Sequence, residues 1–192
     1  MQLILASASP RRKELLSLFH IPFTVRVADI DETMDPGKPP YEEVARVSRL
    51  KAEAVAREDT DTVIAADTIV VCQGKVLGKP RTEAEAVQML SLLSGRDHQV
   101  MTGCTVLAPG GSRTFTEVTD LHFRELTEGE IRRYVASGEP MDKAGAYGIQ
   151  GGAALFCQRR VGDYYNVMGL PVCALYECLR ELAPYLTEEM SK

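Results

Sequence analysis

An α/β layer fold is predicted by three features of this 192-residue chain: strand-like and helix-like segments alternate, capping signatures mark the helix starts, and 45% of the residues are hydrophobic, enough for one sizeable core. Residues 1–5 form a short apolar run that reads as a strand. Ser9 is a good N-cap and Pro10 suits the first helical position, so a helix opens there with Leu15, Leu16, Leu18 and Phe19 as its apolar stripe. A strand is expected over 23–27, then an acidic loop, then a helix over 41–57. TVIAADTIVV, residues 62–71, reads as a buried strand holding one carboxylate, and the Gln73-Gly74 turn folds it into a hairpin with 75–77.

Thr82 and Glu85 give a capping-box signature for a helix that runs to Ser94 and stops at Gly95. Strands over 100–107 and 114–123 join through Pro109-Gly110-Gly111. Thr127 and Glu130 open another helix, which stops at Gly138, and Pro171 starts a last one through Ala183 with Val172, Leu175, Leu179 and Leu182 on its inner face. The intervening DKAGAYGIQGGAALF is glycine-rich, which suits either close backbone approach to a ligand or ordinary turns. With no internal repeat or long linker, residues 1–192 read as a single domain whose tail, 187–192, is flexible.

Composition narrows the function classes. A net charge of −5 argues against a general nucleic-acid binder, which would carry a basic surface. Five widely spaced cysteines, with no C-x-x-C pair, fit reduced thiols in a cytoplasm. No run approaches the ~18–20 apolar residues of a membrane span. The phosphate loop G-x-x-x-x-G-K-S/T, the dinucleotide motif G-x-G-x-x-G, H-E-x-x-H and G-x-S-x-G are all missing, and His20, His98 and His122 are isolated.

Three charge placements break the pattern of an ordinary core. Arg11, Arg12 and Lys13 occupy the first turn of a helix, where the dipole disfavours cations and exposed N–H groups attract anions; either this turn is simply solvated or it meets an anion. Asp67, inside an apolar strand, either caps a turn or is compensated by a cation, a metal or hydrogen bonds. Lys51 falls amid Val44, Val47, Ala54 and Val55, so it either snorkels from the edge of that face or points its charge into a cleft. Asp29, Asp31, Glu32 and Asp35 gather in the acidic loop, a solvated cluster or a source of ligands for Mg²⁺ or Mn²⁺. The same loop holds D-x-D-x-T, the nucleophile motif of haloacid dehalogenase-like phosphatases, with Asp29 as the candidate nucleophile. That family's following glycine is replaced by Glu32, and its helix is displaced by Pro36, Pro39 and Pro40.

Taken together, LILASASPRRKELL, the DET of the acidic loop, AADTIVV, GKVLGKP, DKAGAYGIQG and NVMGLP stand in the order and spacing of the Maf family of nucleotide pyrophosphatases, which the chain resembles from about Leu3 to Leu182. The resemblance implies a long twisted mixed sheet flanked by helices, in two lobes with a central cleft, similar to inosine triphosphate pyrophosphatases. It implies divalent-metal-dependent hydrolysis, with Mg²⁺ or Mn²⁺, of nucleoside triphosphates to the monophosphate and pyrophosphate. Asp67, Lys79, Lys51 and Glu32 are the implied catalytic residues and Glu32 and Asp67 the implied metal ligands, with Asp67 as the base that activates or positions water, directly or through the metal, and Glu32 as a metal ligand, two roles that could be exchanged. Ser7, Arg11 and Arg12 are the implied phosphate contacts, and Arg11, Thr68 and Gln150 the positions of base selection, in the pattern of the subgroup that prefers dTTP and UTP. The expected partner is thus a small nucleoside triphosphate, with neither nucleic-acid polymer nor membrane, and a homodimer is compatible with the family. House-cleaning of the nucleotide pool is the leading expectation; a nucleotide-binding regulator of septum formation is the alternative.

Overall fold

The computed structural model describes residues 2–55 and 57–189. In chain order the strands are β1 (Leu3–Leu5), β2 (Phe23–Val25), β3 (Thr62–Cys72), β4 (Lys75–Leu77), β5 (Asp97–Ala108), β6 (Gly111–Phe123) and β7 (Cys157–Val161). The helices are α1 (Pro10–Ser17), α2 (Pro40–Glu53), α3 (Glu83–Leu93), α4 (Glu128–Ala136), α5 (Tyr164–Met168), α6 (Val172–Leu182) and α7 (Pro184–Glu189), with short 3₁₀ turns at Glu139–Asp142, Ala144–Ala146 and Gly152–Leu155. The strands make one seven-stranded sheet in the order β2-β1-β3-β5-β6-β7, with β4 on β3. β1 is parallel to β2 and β3, whereas β4 and β7 are antiparallel to β3 and β6, so the sheet is mixed and helices occupy its connections, as the alternation of segments predicts.

The chain groups into two compact units: Met1–Asp67, Thr102–Glu117 and Gly169–Lys192 form the first, and Thr68–Met101 with Val118–Met168 the second. In the first, Ile4, Ala6, Ala52, Val55, Val63 and Ala65 pack together. Leu175, Cys178 and Leu179 supply the buried face of α6, and the Thr62 hydroxyl meets the Tyr185 hydroxyl at 2.7 Å, tying α7 to β3. In the second, α3 buries Ala86, Leu90 and Leu93 in a core with Phe123, Tyr134, Tyr147 and Phe156. There the His98 imidazole stands edge-on to Phe123 at 4.7 Å and to Tyr147 at 5.6 Å.

Several boundaries differ from expectation for local reasons. The first strand begins at Leu3, with Met1 outside the described residues, and β2 stops at Val25. The helix expected over 41–57 ends at Glu53, where Ala54 caps it; Ala56 lies outside the described residues. Strand β5 runs longer at both ends and β6 at its start, because the sheet continues to pair beyond the apolar stretch. Thr127 and Glu130 form a reciprocal capping box, whereas Glu85 sends its carboxylate to the Arg81 N–H at 2.8 Å and leaves Thr82 to cap alone. Of the tail expected to be flexible, 187–192, Thr187 is buried within α7, and residues 190–192 lie outside the described residues. Three elements had no sequence signal: β7, α5 and α7.

Candidate active site

Lys51 is held in place by the way α2 seats on β5. The helix begins with Pro40 and carries Glu42 and Glu43 in its first turn, where the dipole favours acids. Its inner face is Val44, Val47, Ser48 and Ala52; of the two later residues expected there, Val55 is buried and Ala54, which caps the helix, is exposed. A Cβ on Gly103 would enter the Val44 carbonyl, so only glycine lets β5 lie against the helix backbone. The Ser48 hydroxyl meets Thr105 at 2.8 Å, Thr105 meets Thr114 at 2.9 Å, and Thr116 donates to the Tyr41 carbonyl at 2.8 Å. Lys51, on this anchored face, donates to Asp67 Oδ1 at 2.7 Å and lies 3.0 Å from Glu32 Oε2. The Lys51 and Asp67 side chains are 11% and 12% exposed, so each of the two anomalous charges in the sequence compensates the other.

Glu32 reaches this lysine from the loop between β2 and α2, and the loop is latched by Glu43, which sequence reasoning passed over. The Glu43 carboxylate is buried, accepts the Asp35 N–H at 2.8 Å and pairs with Arg46 at 2.8 Å. Arg46 Nη2 also donates to the Thr33 carbonyl at 2.8 Å, next to Glu32. These donors hold the Glu43 carboxyl down at about 2, the Arg46 hydrogen bonds contributing most. The signal for it was an acid and a cation three residues apart beside Val44, an i,i+3 pair on a helix face that is otherwise apolar.

In the first turn of α1, Ser9 caps the helix through its side chain, as expected. Arg12 Nε donates to the Gly169 carbonyl at 2.8 Å and Nη1 to Ser7 Oγ at 3.2 Å; the Ser9 N–H also donates to Ser7 Oγ, at 3.2 Å. Burial pushes the Arg12 guanidinium below its ordinary range, opposed chiefly by Asp67 and also by Glu32, while Arg11 adds to the lowering. Arginine nevertheless stays charged at such sites. Cys104 is pushed up to about 12 by burial, so it remains a thiol near Arg12 and adds no charge there. Ser7, Arg12, Glu32, Lys51 and Asp67 thus fall within one unit, with Arg11 half-buried on the same helical turn.

The remaining predicted residues belong to the second unit. Thr68 follows Asp67 along β3 and is half-buried, while Lys79 and Gln150 are exposed. Gly145, which adopts φ +68°, donates its N–H to the Gly78 carbonyl at 3.0 Å, linking the GKP segment of Lys79 to DKAGAYGIQG. A side chain at Gly145 would collide with Val70.

Among the described residues no three His, Cys, Asp or Glu side chains gather as a metal cage. Two carboxylates, Glu32 and Asp67, do reach a common point, now marked by the Lys51 ammonium at 3.0 and 2.7 Å. A cation held by one or two carboxylates and completed by substrate phosphates is the usual Mg²⁺ arrangement, so these residues fit such an ion. Asp29 and Asp31 are exposed, and Asp31 accepts the Thr33 N–H at 2.9 Å in a local turn, away from any strand end; the haloacid dehalogenase-like reading therefore lacks its nucleophile geometry. An open cavity of about 550 Å³ beside α1 and β2, lined by Lys13, Ser17, His20, Phe23 and Val25, contains none of the site residues.

Comparison with known proteins agrees with the sequence resemblance. A family model described as Maf-like protein matches residues 2–182. A dTTP/UTP pyrophosphatase from Geobacillus sp. (strain WCH70) is 54% identical over 89% of this chain and 92% of its own length. One from Halalkalibacterium halodurans is 53% identical over 93% and 94%. A HAM1 protein from Coxiella burnetii has a similar fold, with a TM-score of 0.50 over 94% of this chain and 99% of its own at 18% identity.

Proposed function

Because the chain belongs to the Maf family, we propose that it is a nucleoside triphosphate pyrophosphatase that cleaves the α–β phosphoanhydride bond of dTTP and UTP, releasing the monophosphate and pyrophosphate as nucleotide-pool house-cleaning. The observation that carries this reading is the largely covered Lys51 held between Asp67 and Glu32, supported by relatives of about half identity that are named for this activity.

We assign the roles as follows. Arg11 and Arg12 hold phosphate oxygens at the start of α1, where guanidinium forks and backbone N–H groups both favour anions, and Ser7 supports Arg12 while its own hydroxyl proton is the group left to donate. Lys51 and Lys79 neutralise charge as it builds on the departing pyrophosphate. Asp67 accepts a proton from the attacking water, which requires its Lys51 partner to turn toward phosphate when substrate arrives. Glu32 and Asp67 would hold a divalent cation, Mg²⁺ or Mn²⁺, which when bound supplies charge screening of the phosphates and orientation of the water. Thr68 and Gln150 select the base, the Gln150 amide offering both donor and acceptor to a pyrimidine edge.

Incubating the purified chain with Mg²⁺ or Mn²⁺ and a panel of ribo- and deoxyribonucleoside triphosphates tests this directly. The expected products are dTMP or UMP with pyrophosphate; release of orthophosphate in place of pyrophosphate would reject the α–β assignment.

A further inference from the structure

The turn that carries Gln150 is held from behind by two side chains that no motif announces. Gly148 to Gly151 is a β-turn closed by the Gly151 N–H on the Gly148 carbonyl at 3.1 Å, with exposed Gln150 at its third position. The Gly148 N–H donates to the Tyr134 hydroxyl at 3.0 Å, just before the turn, and the Gly152 N–H donates to Glu139 Oε2 at 3.1 Å, just after it. Tyr134 in turn donates to Glu139 Oε1 at 2.9 Å. The hydroxyl spends its only proton on the carboxylate and keeps a lone pair for Gly148, so the donor and acceptor directions are consistent around the whole network.

Packing reinforces these bonds. Tyr134 is buried and stands edge-on to Phe156 at 5.2 Å. Burial first, and the carboxylate beside it, push the phenol above its ordinary range, so it stays protonated and able to donate. Lys143 Nζ donates to the Glu139 carbonyl at 2.6 Å and to Asp142 Oδ1 at 2.7 Å, fixing the backbone from which the carboxylate extends. A Cβ on Gly151 would overlap the Glu139 carboxylate, and one on Gly148 would lie 2.6 Å from Lys143 Cε. Glu139 and Lys143 keep these positions only while 148 and 151 are glycine; a larger residue at either would push those side-chain ends away from the turn.

We propose that Tyr134 and Glu139 are positioning residues that set nucleobase selectivity by fixing both ends of the Gln150 turn. The proposal rests on the reading of Gln150 as a base contact. An amide discriminates between a uracil edge, with its ring N–H, and a cytosine edge only while its own orientation is set; a turn pinned before binding supplies that orientation without an ordering cost.

The test compares kcat/KM for UTP, CTP and ATP in the full chain and in Gln150→Ala, Glu139→Ala, Glu139→Gln, Tyr134→Phe and the Gln150→Ala/Glu139→Ala double variant, with amide hydrogen exchange of 148–152 measured in each. Glu139→Ala and Tyr134→Phe are expected to lower the UTP preference about tenfold, the scale of one lost hydrogen bond, and to speed exchange at Gly148 and Gly152. Glu139→Gln should restore only part of the preference, because its amide oxygen can still accept from Gly152 while its nitrogen cannot accept the Tyr134 proton. In the double variant the Glu139 change should add nothing to that of Gln150. If Gln150→Ala alone leaves preference unchanged, the base-contact reading fails and takes the proposal with it. If Gln150→Ala shifts preference but Glu139→Ala and Tyr134→Phe do not, or if the double variant is additive, the base contact stands and the positioning role is overturned. Should Glu139→Ala fail to fold, Tyr134→Phe, which removes a single hydroxyl, decides the same question.

Discussion

The Lys51 cluster in the first unit and the Gln150 turn in the second are built in opposite ways. At Lys51, side-chain charges answer one another: the ammonium meets the largely covered Asp67 and the exposed Glu32, and Arg12 is held by a carbonyl and a hydroxyl. At Gln150, buried Tyr134 and half-buried Glu139 spend themselves on backbone N–H groups and leave the bearing residue exposed. The first arrangement is complete without a ligand, so substrate must exchange partners with it. The second is set beforehand and has nothing to exchange. Rate should therefore respond to changes in the first, and selectivity to changes in the second.

The largest effect is expected at Asp67. Asp67→Asn keeps the shape and one hydrogen bond to Lys51 but removes the proposed proton acceptor, so kcat should fall about 10²–10⁴-fold while the thermal midpoint stays close to that of the parent. Near-normal turnover would remove Asp67 from the chemistry. Lys51→Met and Lys79→Ala should each lower kcat/KM by about 10²–10³-fold, read in steady-state assays with saturating metal. A change in nucleotide preference at unchanged rate in either variant would blur the division between the two regions.

Acid should reach the two units in different windows. In the second, burial lowers the His98 imidazole from 6.5 to about 4, so the fold holds it neutral. Its contribution is complete above about pH 6.5 and is lost as pH falls toward 4, about 3 kcal/mol in all. In the first, Glu43 is lowered from 4.5 to about 2, so its contribution persists until pH drops below about 4.5 and is gone near 2. Denaturant titrations from pH 8 to 3 should show the upper window flattened in His98→Phe and retained in Glu43→Gln. Identical profiles for both variants would contradict these assignments.

The smallest rate effect is expected from loosening the loop that carries Glu32. Glu43→Gln should raise the Mg²⁺ or Mn²⁺ concentration needed for half-maximal activity about 10–100-fold, with kcat at saturating metal changed far less. An unaltered metal dependence would mean that the Glu43–Arg46 latch does not position Glu32.

Much of this was legible in the residues because local rules and pattern breaks are written locally. Ser9, Thr82 and Thr127 cap the helices they precede, Gln73 and Gly74 take φ +52° and +75° in the hairpin turn, and the helix stops at Gly95 and Gly138 hold. Lys51 and Asp67 stood out as charges in apolar company, which is itself a statement about compensation. β7 was not legible: CQRRV is polar, largely exposed and without alternation, and it becomes a strand only because β6 offers it a partner. The Gly169 carbonyl under Arg12 left no trace either, since a backbone acceptor has no residue type of its own.

By itself, then, the sequence determined the existence and order of most elements, several helix starts and stops, the class of fold and which charges required an explanation. These depend on period, caps and the cost of burying an ion, all of which act within a few residues. Tertiary structure alone decided that Lys51 and Asp67 answer each other, that Glu43 latches the Glu32 loop, and that Tyr134 and Glu139 pin the Gln150 turn. Those pairings join residues on different elements, and hydrogen-bond geometry at about 3 Å exists only once the elements have packed.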